Sequence, residues 1–129
     1  EGQCFGYGSA TTDGILAALA AGEAADGPLV QGALDYLRGI HRLDGNPGIG
    51  PGPLQGFARA MVGLYRAGAS TVFARLGGPP GWRPAMVDAV LGEQRDDGSW
   101  ANPEPLQKED DPLISTGFAL SALAWSAWG

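Results

Sequence analysis

The sequence Leu91-Gly-Glu-Gln-Arg-Asp-Asp-Gly-Ser-Trp100 decides the fold, because it holds the residues needed to end one helix and begin another. Gly98 can adopt the left-handed backbone conformation that ends a helix or tightens a turn. Asp97 can accept hydrogen bonds from nearby backbone amides, and Gln94 can satisfy free polar groups at a helix end. Trp100 offers a large apolar face for packing. The stretch therefore predicts a corner between two helices, a tight turn held by hydrogen bonds and packing of its own side chains.

A weaker copy of this corner lies upstream. Residues 35–46 align without gaps on residues 88–99. Five positions are identical at a constant spacing: Asp35, Gly39, Arg42, Asp44 and Gly45 match Asp88, Gly92, Arg95, Asp97 and Gly98, each 53 residues later. Residues 12–19 and 116–123 form a second related pair of segments. A period near 50 residues is typical of helical repeats that stack side by side.

This repeat predicts a single all-α domain over residues 1–129, with repeat corners near residues 41–46 and 94–100. The predicted structural residues of the two corners are His41, Asp44 and Gly45 in the first, and Gln94, Asp97, Gly98 and Trp100 in the second. His41 occupies the aligned position of Gln94, and we interpret it as a hydrogen-bonding corner residue. A general base is the alternative interpretation of His41.

The string Gln94-x-x-Asp97-Gly98-Ser99-Trp100 resembles the signature of the prenyltransferase and squalene-oxidase repeat, the QW motif of terpene cyclases. Other segments are similar to the C-terminal part of bacterial repeat-containing proteins of this group, and together they cover nearly the whole chain: Tyr7-Gly-Ser-Ala-Thr11, residues 26–30, residues 43–48, Trp82-Arg-Pro-Ala85 and residues 111–116. The resemblance implies a partial α/α toroid, with inner helices around a cavity and outer helices behind them. It does not by itself imply catalysis, because one fold carries many functions.

Hydrophobic periodicity predicts about five main helices in two layers. The inner helices are expected from Ser9 to about Ala21, over Leu54–Ala67 and from Asp111 onward, and the outer helices from Asp26 through Ile40 and from Trp82 to about Gln94. Residues 70–80 are expected to add a helical turn over the core. The expected N-terminal caps are Ser9, Thr11 or Thr12 for the first helix, Asp26 with Pro28 for the second and Asp111 with Pro112 for the last. Gly22 is expected to end the first helix.

Composition excludes several classes of function. The net charge of −6 and the single lysine, Lys108, argue against nucleic-acid binding, which needs a basic face. The longest apolar stretch, residues 117–129, is shorter than the ~20 residues that span a bilayer. We therefore predict a soluble chain without a transmembrane segment, either cytoplasmic or exported with its signal removed. Cys4 is interpreted as an apolar packing residue, since no zinc-ligand set accompanies it.

Catalytic chemistry has few candidates in this sequence. The resemblance to cyclases implies an acidic Asp-x-Asp-Asp or Asp-Asp-x-x-Asp motif, and neither is in register. Asp13 and Asp110 are the weak catalytic candidates, with helix-dipole compensation as the alternative for Asp13. Arg59 and Arg66 lie in an inner helix, and they have two interpretations: they are solvated or paired with carboxylates, or they meet an anionic ligand such as a diphosphate. No cofactor and no metal site is predicted.

Half of the acidic residues, seven of fourteen, lie between Glu93 and Asp111. Hard cations such as calcium prefer several oxygen ligands. Four carboxylates in this segment could supply them: Asp96, Asp97, Asp110 and Asp111. The spacing does not match a known calcium loop. We interpret the segment as a solvated acidic rim with capping duties.

Aromatic and apolar residues of the inner helices suggest two functions. The last predicted helix is apolar on all sides, and an open arc of helices leaves such surfaces uncovered. We therefore expect a non-catalytic helical-repeat module, an accessory subunit that works through a protein partner or self-association. The alternative is a terpenoid cyclase, a prenyltransferase-like enzyme or a fragment that binds isoprenoids or lipids. The cavity or interface residues are Phe57, Tyr65, Phe118, Trp125 and Trp128.

Overall fold

The computed structural model describes residues 6–50, 52 and 54–128, so the interpretation of Cys4 falls outside the described residues. The described residues form six α-helices and one short 3₁₀-helix, without strands. The helices are α1 (Gly8–Ala20), α2 (Pro28–Ile40), α3 (Gln55–Ala60), α4 (Val62–Leu76), α5 (Trp82–Leu91) and α6 (Pro112–Ala127), and the 3₁₀-helix covers Pro105–Gln107. The predicted all-α class is confirmed.

Several helix ends follow local sequence signals. Pro28 and Pro112 occupy the first helical positions of α2 and α6, where the missing N–H has no intrahelical partner to lose. The Asp111 carboxylate accepts a hydrogen bond from the Leu113 amide at 2.9 Å, as a helix cap does. Gly22 has a φ of +97°, and its amide donates to the Leu19 carbonyl at 3.1 Å after the last turn of α1.

The start of α1 and the cap of α2 differ from the prediction. Tyr7 precedes α1, so Ser9, Thr11 and Thr12 all lie inside its first turns and do not cap it. The loop after α2 supplies the missing acceptors instead: the Asn46 side chain accepts from the Ser9 amide at 3.0 Å, and the Pro47 carbonyl accepts from the Gly8 amide at 2.7 Å. For α2 the cap is Gly27, not Asp26.

The predicted inner helix over Leu54–Ala67 is wrong in its bounds. It is broken at Met61, whose φ of −115° and ψ of 24° are not helical, and it continues as α4 through residues 70–76. The helical turn expected over residues 70–80 is therefore the second half of α4. The second outer helix, α5, ends at Leu91 rather than near Gln94.

Helix α4 is the centre of the packing. It contacts α1 on one side and α6 on the other, while α2 packs on α1 and α5 packs mainly on α6. Glycine lets α1 and α4 approach closely, since a Cβ atom at Gly68 would overlap the buried Thr12 side chain. At the other contact, the Ser126 hydroxyl donates to the Ser70 hydroxyl at 3.1 Å. No helix in the described part of the chain combines the length and apolar character needed to cross a bilayer.

Buried apolar side chains from both flanks of α4 form one continuous core. Its largest fully buried members are Ile15 of α1, Val30, Leu34 and Leu37 of α2, Tyr65, Val72 and Phe73 of α4, and Met86 and Val90 of α5. Helix α6 contributes small residues to this core, Ala119 and Ala122, together with Leu123. The core therefore joins α2 and α5 through the central helix.

We predict that Gly68→Ala lowers the free energy of unfolding by about 1–3 kcal/mol, because the added methyl group overlaps Thr12 at the α1–α4 contact. Gly32→Ala in α2 is the matched control: nothing lies within 4 Å of the added Cβ. Helix propensity should make that substitution stabilising by about 0.5–1 kcal/mol. Urea denaturation of both variants checks the difference, and equal effects would contradict the close approach of α1 to α4.

Candidate functional site

The corner after α5 is held by its own side chains. Gln94 donates from Nε2 to the Gly98 carbonyl at 2.9 Å, and Gly98 has a φ of +87°. The Asp97 carboxylate accepts from the Ser99 hydroxyl at 2.6 Å and from its amide at 3.0 Å, and these two bonds lower the pKa of Asp97. Trp100 is buried, and its indole N–H donates to the Val90 carbonyl at 2.7 Å. The motif therefore staples the end of α5 to the following loop.

The corner after α2 is built differently, although its sequence matches. Gly45 does not have a positive φ; instead it lies close to α3, where an added Cβ would sit 3.3 Å from the Ala58 carbonyl oxygen. Asp44 pairs with Arg42 at 3.3 Å on the surface. His41 does not take the role of Gln94, because its Nδ1 atom lies 2.6 Å from the Tyr65 hydroxyl. The two corners therefore share residues but not hydrogen bonds.

Arg66 connects the two corners through the central helix. Its guanidinium donates to the Leu43 carbonyl from Nε at 3.0 Å and from Nη2 at 2.5 Å. It also forms a bidentate pair with Glu93, at 2.8 and 3.1 Å. The Arg66 side chain is only 7% exposed. Of the two interpretations of this arginine, the structure shows the carboxylate pair.

The Glu93 carboxylate forms ion pairs with two arginines, Arg66 and Arg59. Burial raises the pKa of its carboxyl group, but the hydrogen bonds and charges of Arg66 and Arg59 outweigh burial, so the pKa is lower than usual. The Arg59 guanidinium lies 3.6 Å from the same carboxylate and is half-exposed. Glu93 is therefore ionised at neutral pH, and its charge is balanced at the site.

Glu109 explains why α4 begins at Val62. Its carboxylate accepts from the amides of Gly63 at 2.7 Å and Leu64 at 3.0 Å, the free donors of the first turn of α4. The Asn102 amide donates to the Arg59 carbonyl at 2.7 Å, which an unbroken helix would have paired with Gly63. Glu109 is only 2% exposed. Burial raises the pKa of its carboxyl group even though these hydrogen bonds act in the opposite direction.

A cavity of about 250 Å³ lies where these groups meet, between the first turns of α4, the end of α5 and the first half of α6. We call it the Glu109 cavity. Its wall comprises Arg59, Val62, Gly63, Arg66, Val90, Glu93, Trp100, Ala101, Asn102, Pro103, Glu109, Ser115, Phe118, Ala119 and Ala122. The Ser115 hydroxyl donates to the Glu109 carbonyl, so the residue is held by both its backbone and its side chain.

The aromatic cavity expected from the sequence does not assemble. Of the five cavity or interface residues predicted from the sequence, only Phe118 lines the Glu109 cavity, and Trp128 is exposed at the end of α6. Tyr65 is fully buried in the core beside His41, and Trp125 is on the partly exposed side of α6. Phe57 lies in the short helix α3 and is absent from the wall of this cavity. These residues therefore do not line a common cavity.

The two catalytic candidates lie outside the Glu109 cavity. Asp13 is exposed in α1, and Asp110 is exposed in the loop before α6. The four acids considered for calcium are also exposed. Over residues 6–50, 52 and 54–128, no group of three or more His, Cys, Asp or Glu side chains is arranged to hold a metal ion. Asp97 and Asp111 instead accept hydrogen bonds from their own turns.

The sequence interpretation named Arg59, Arg66, Trp100 and Phe118 of this wall, but it did not identify Glu109 and Asn102. Glu109 and Asn102 both belong to the loop between α5 and α6, and their partners lie more than 40 residues earlier in the chain. No local pattern marks such long-range contacts. Gly63 is the one indirect signal, because a Cβ atom there would lie 2.8 Å from the Glu109 carboxylate.

Comparison of the chain with protein-family models, curated proteins and solved structures finds no match. The resemblance to the prenyltransferase and squalene-oxidase repeat therefore depends on the segments given above. The geometry of the Glu109 cavity and of the helix surfaces supports the functional proposals that follow.

We predict that Arg66→Met lowers the free energy of unfolding by about 3–5 kcal/mol, because it leaves Glu93 and the Leu43 carbonyl without their shared donor. Arg75→Met is the matched control, since Arg75 lies exposed in the same helix. Its effect should stay within about 0.5 kcal/mol. Urea denaturation measures both variants, and a loss at Arg66 no larger than at Arg75 would contradict the role of the buried guanidinium.

We predict that His41 makes the fold less stable in mild acid. Burial lowers the pKa of His41 below its ordinary value of 6.5, so the unfolded chain binds the proton more readily than the folded one. The stability contributed by neutral His41 is therefore complete above that pH and is lost as the pH falls below it. The His41→Gln variant should lose less stability between about pH 7.5 and 5.5 than the unsubstituted protein.

Urea unfolding at both pH values checks this difference. The comparison cancels the contribution of Glu109, whose burial-raised pKa acts in the opposite direction and is present in both proteins. Parallel pH dependences for the two proteins would show that His41 does not titrate differently on folding.

Proposed function

We propose that this chain is a non-catalytic helical-repeat module that works through protein–protein contacts, as an accessory subunit of a larger assembly. The observation that carries the proposal is the outer face of α6. Leu113, Leu120 and Trp128 are 83%, 55% and 83% exposed, and Gly117 and Ala124 lie exposed between them. This spacing of three and four residues places all five on one side of the helix. No charged residue occurs anywhere in α6.

Such a face gains stability when it is covered. Full burial of one large apolar side chain contributes about 1.5–3 kcal/mol. Single exposed apolar residues are ordinary on protein surfaces, whereas a continuous stripe of them marks an interaction surface. The stripe on α6 runs over four turns of helix, from Leu113 to Trp128. Its size and lack of charge support contact with another apolar protein surface.

The α1–α2 side of the molecule offers a surface of complementary shape. An apolar groove of about 420 Å³ lies there, with Leu29, Val30 and Ala33 on one wall and Gly14 and Ala18 on the other. Leu29 is exposed, and the α1 wall includes the small residues Gly14 and Ala18. Large side chains such as Leu120 and Trp128 fit between ridges of this kind. The groove is therefore a suitable acceptor for the α6 face.

A second copy of this chain is the partner that these two surfaces favour. Helices α1 and α6 lie on opposite sides of α4 and do not contact each other among the described residues. Because the contact joins different surfaces, α1 of a second copy would follow α6 of the first and continue the series α1–α4–α6. That arrangement is an arc of an α/α toroid, with α2 and α5 as the outer helices.

The proposal predicts that Leu120→Glu and Gly14→Glu each abolish self-association, because one charges the α6 face and the other charges the groove. The unsubstituted chain should form oligomers whose mass increases with concentration. A mixture of the two variants should form a 1:1 dimer and stop there, since each variant retains one working surface. Light scattering after size exclusion measures the masses, and Leu91→Glu in α5 is the control with an exposed leucine outside both surfaces.

A monomer at every concentration would contradict self-association. If Gly14→Glu alone still formed dimers while Leu120→Glu did not, the α6 face would pair with itself and the groove would have no part in the contact.

A further inference from the structure

The Glu109 cavity has a polar side and an apolar side. The polar side contains Glu109 and the Arg66–Glu93 pair, and the apolar side contains Trp100, Phe118 and Ala119. The volume of about 250 Å³ has room for roughly eight water molecules, and so for an organic molecule of about that many non-hydrogen atoms. Cavities with an apolar wall and a few convergent polar groups are the common form of small-molecule sites.

Four charged side chains line the cavity, Arg59, Arg66, Glu93 and Glu109, and their formal charges sum to zero; both arginines pair with Glu93, which leaves Glu109 as the carboxylate of the wall without an ion pair. Arg66 is committed to both oxygens of Glu93 and to the Leu43 carbonyl, so that pair is neutral. Glu109 has no salt bridge to any residue that the structure describes. The amides of Gly63 and Leu64 donate to its carboxylate, and the Asn102 side chain and the charge of Arg66 also act to lower its pKa against the effect of burial. A buried carboxylate without an ion-pair partner favours the approach of a cation.

Glu109 also retains the capacity to bind one. Each carboxylate oxygen can accept about two hydrogen bonds, and each oxygen of Glu109 accepts one from α4. An ammonium group has three donors and can use the remaining acceptor positions without displacing the helix amides. An anionic ligand would meet the Glu109 charge and would have to compete with Glu93 for Arg59 and Arg66. The Glu109 end of the cavity therefore favours positive charge.

The apolar side of the cavity determines which group can be attached to the ammonium group of the ligand. The Trp100 indole is fixed because its N–H donates to the Val90 carbonyl, and Phe118 stands on the neighbouring helix. Ala119 and Ala122 leave the space between these rings open. A ring or short branched chain fills such a gap by dispersion contacts, and aromatic faces also attract an ammonium group.

We infer that the Glu109 cavity is a binding site for a small organic ammonium ion, a primary amine joined by a short chain to an aromatic or branched apolar group. The ammonium group lies at the Glu109 carboxylate, and the apolar group lies between Trp100 and Phe118. This activity is separate from the contact through the outer face of α6. A failure of one proposal leaves the other standing.

Calorimetric titration of the full chain with three probes of similar size tests the site. These are 2-phenylethylamine, the neutral 2-phenylethanol and the anionic phenylacetate. The amine should bind at least about tenfold more tightly than the alcohol, because charge-assisted hydrogen bonds are the stronger ones. Phenylacetate should bind more weakly than either. Equal affinity of the amine and the alcohol would overturn the assignment of Glu109 as the cation-binding group.

Two substitutions locate the binding. Ala119→Leu fills the cavity and should weaken amine binding by about tenfold or more, whereas Ala85→Leu at an exposed position of α5 outside the cavity should leave it unchanged. Phe118→Ala removes one aromatic wall at a partly exposed position and provides a second readout if Ala119→Leu does not fold. Amine affinity that is unchanged in the folded cavity variants, or lowered equally by Ala85→Leu, would place binding elsewhere and overturn the proposal.

Discussion

The guanidinium of Arg66 is the interaction on which the arrangement of helices depends. A buried charge is tolerated only when its donors are matched by acceptors, and breaking one side of such a set costs several kcal/mol, about 3–5. Arg66 meets this requirement with the Leu43 carbonyl after α2 and the Glu93 carboxylate after α5. One side chain of the central helix therefore fixes the position of both corners.

Glu109 binds the same helix about one turn earlier. The two carboxylates, Glu93 and Glu109, therefore have different partners. Glu93 balances a side-chain cation and keeps a low pKa, whereas Glu109 balances backbone amides and has a raised one. Burial raises the pKa of both carboxyl groups, and the full charges of the guanidinium groups outweigh it at Glu93, whereas the partial charges of a helix N-terminus do not outweigh it at Glu109. The break between α3 and α4 exists because Glu109 and Asn102 replace the backbone bonds that a continuous helix would make.

The sequence predicted those features whose partners lie within a few residues. Local rules identify residues whose role depends only on their own turn. These are Pro28, Pro112, Gly98 and the cap residue Asp111. The features that it missed are satisfied from far away in the chain. Asn46 caps α1 across 37 residues, and Glu109 caps α4 across 45 and 46. The internal repeat also hid a difference, because identical residues at 44–45 and 97–98 form corners with different hydrogen bonds.

Helix α6 shows why an apolar pattern alone does not tell which side of a helix is covered. Its buried side consists largely of small residues, Ser115, Ala119, Ala122 and Ser126, which allow close approach to α4. Its large residues Leu120 and Trp128 face outward. A helix face can either pack its backbone closely against a neighbour or bury large side chains. The inner face of α6 packs closely against α4. The apolar surface that remains outside is therefore a consequence of how tightly α6 packs against α4, and the space left between the small inner residues is the Glu109 cavity.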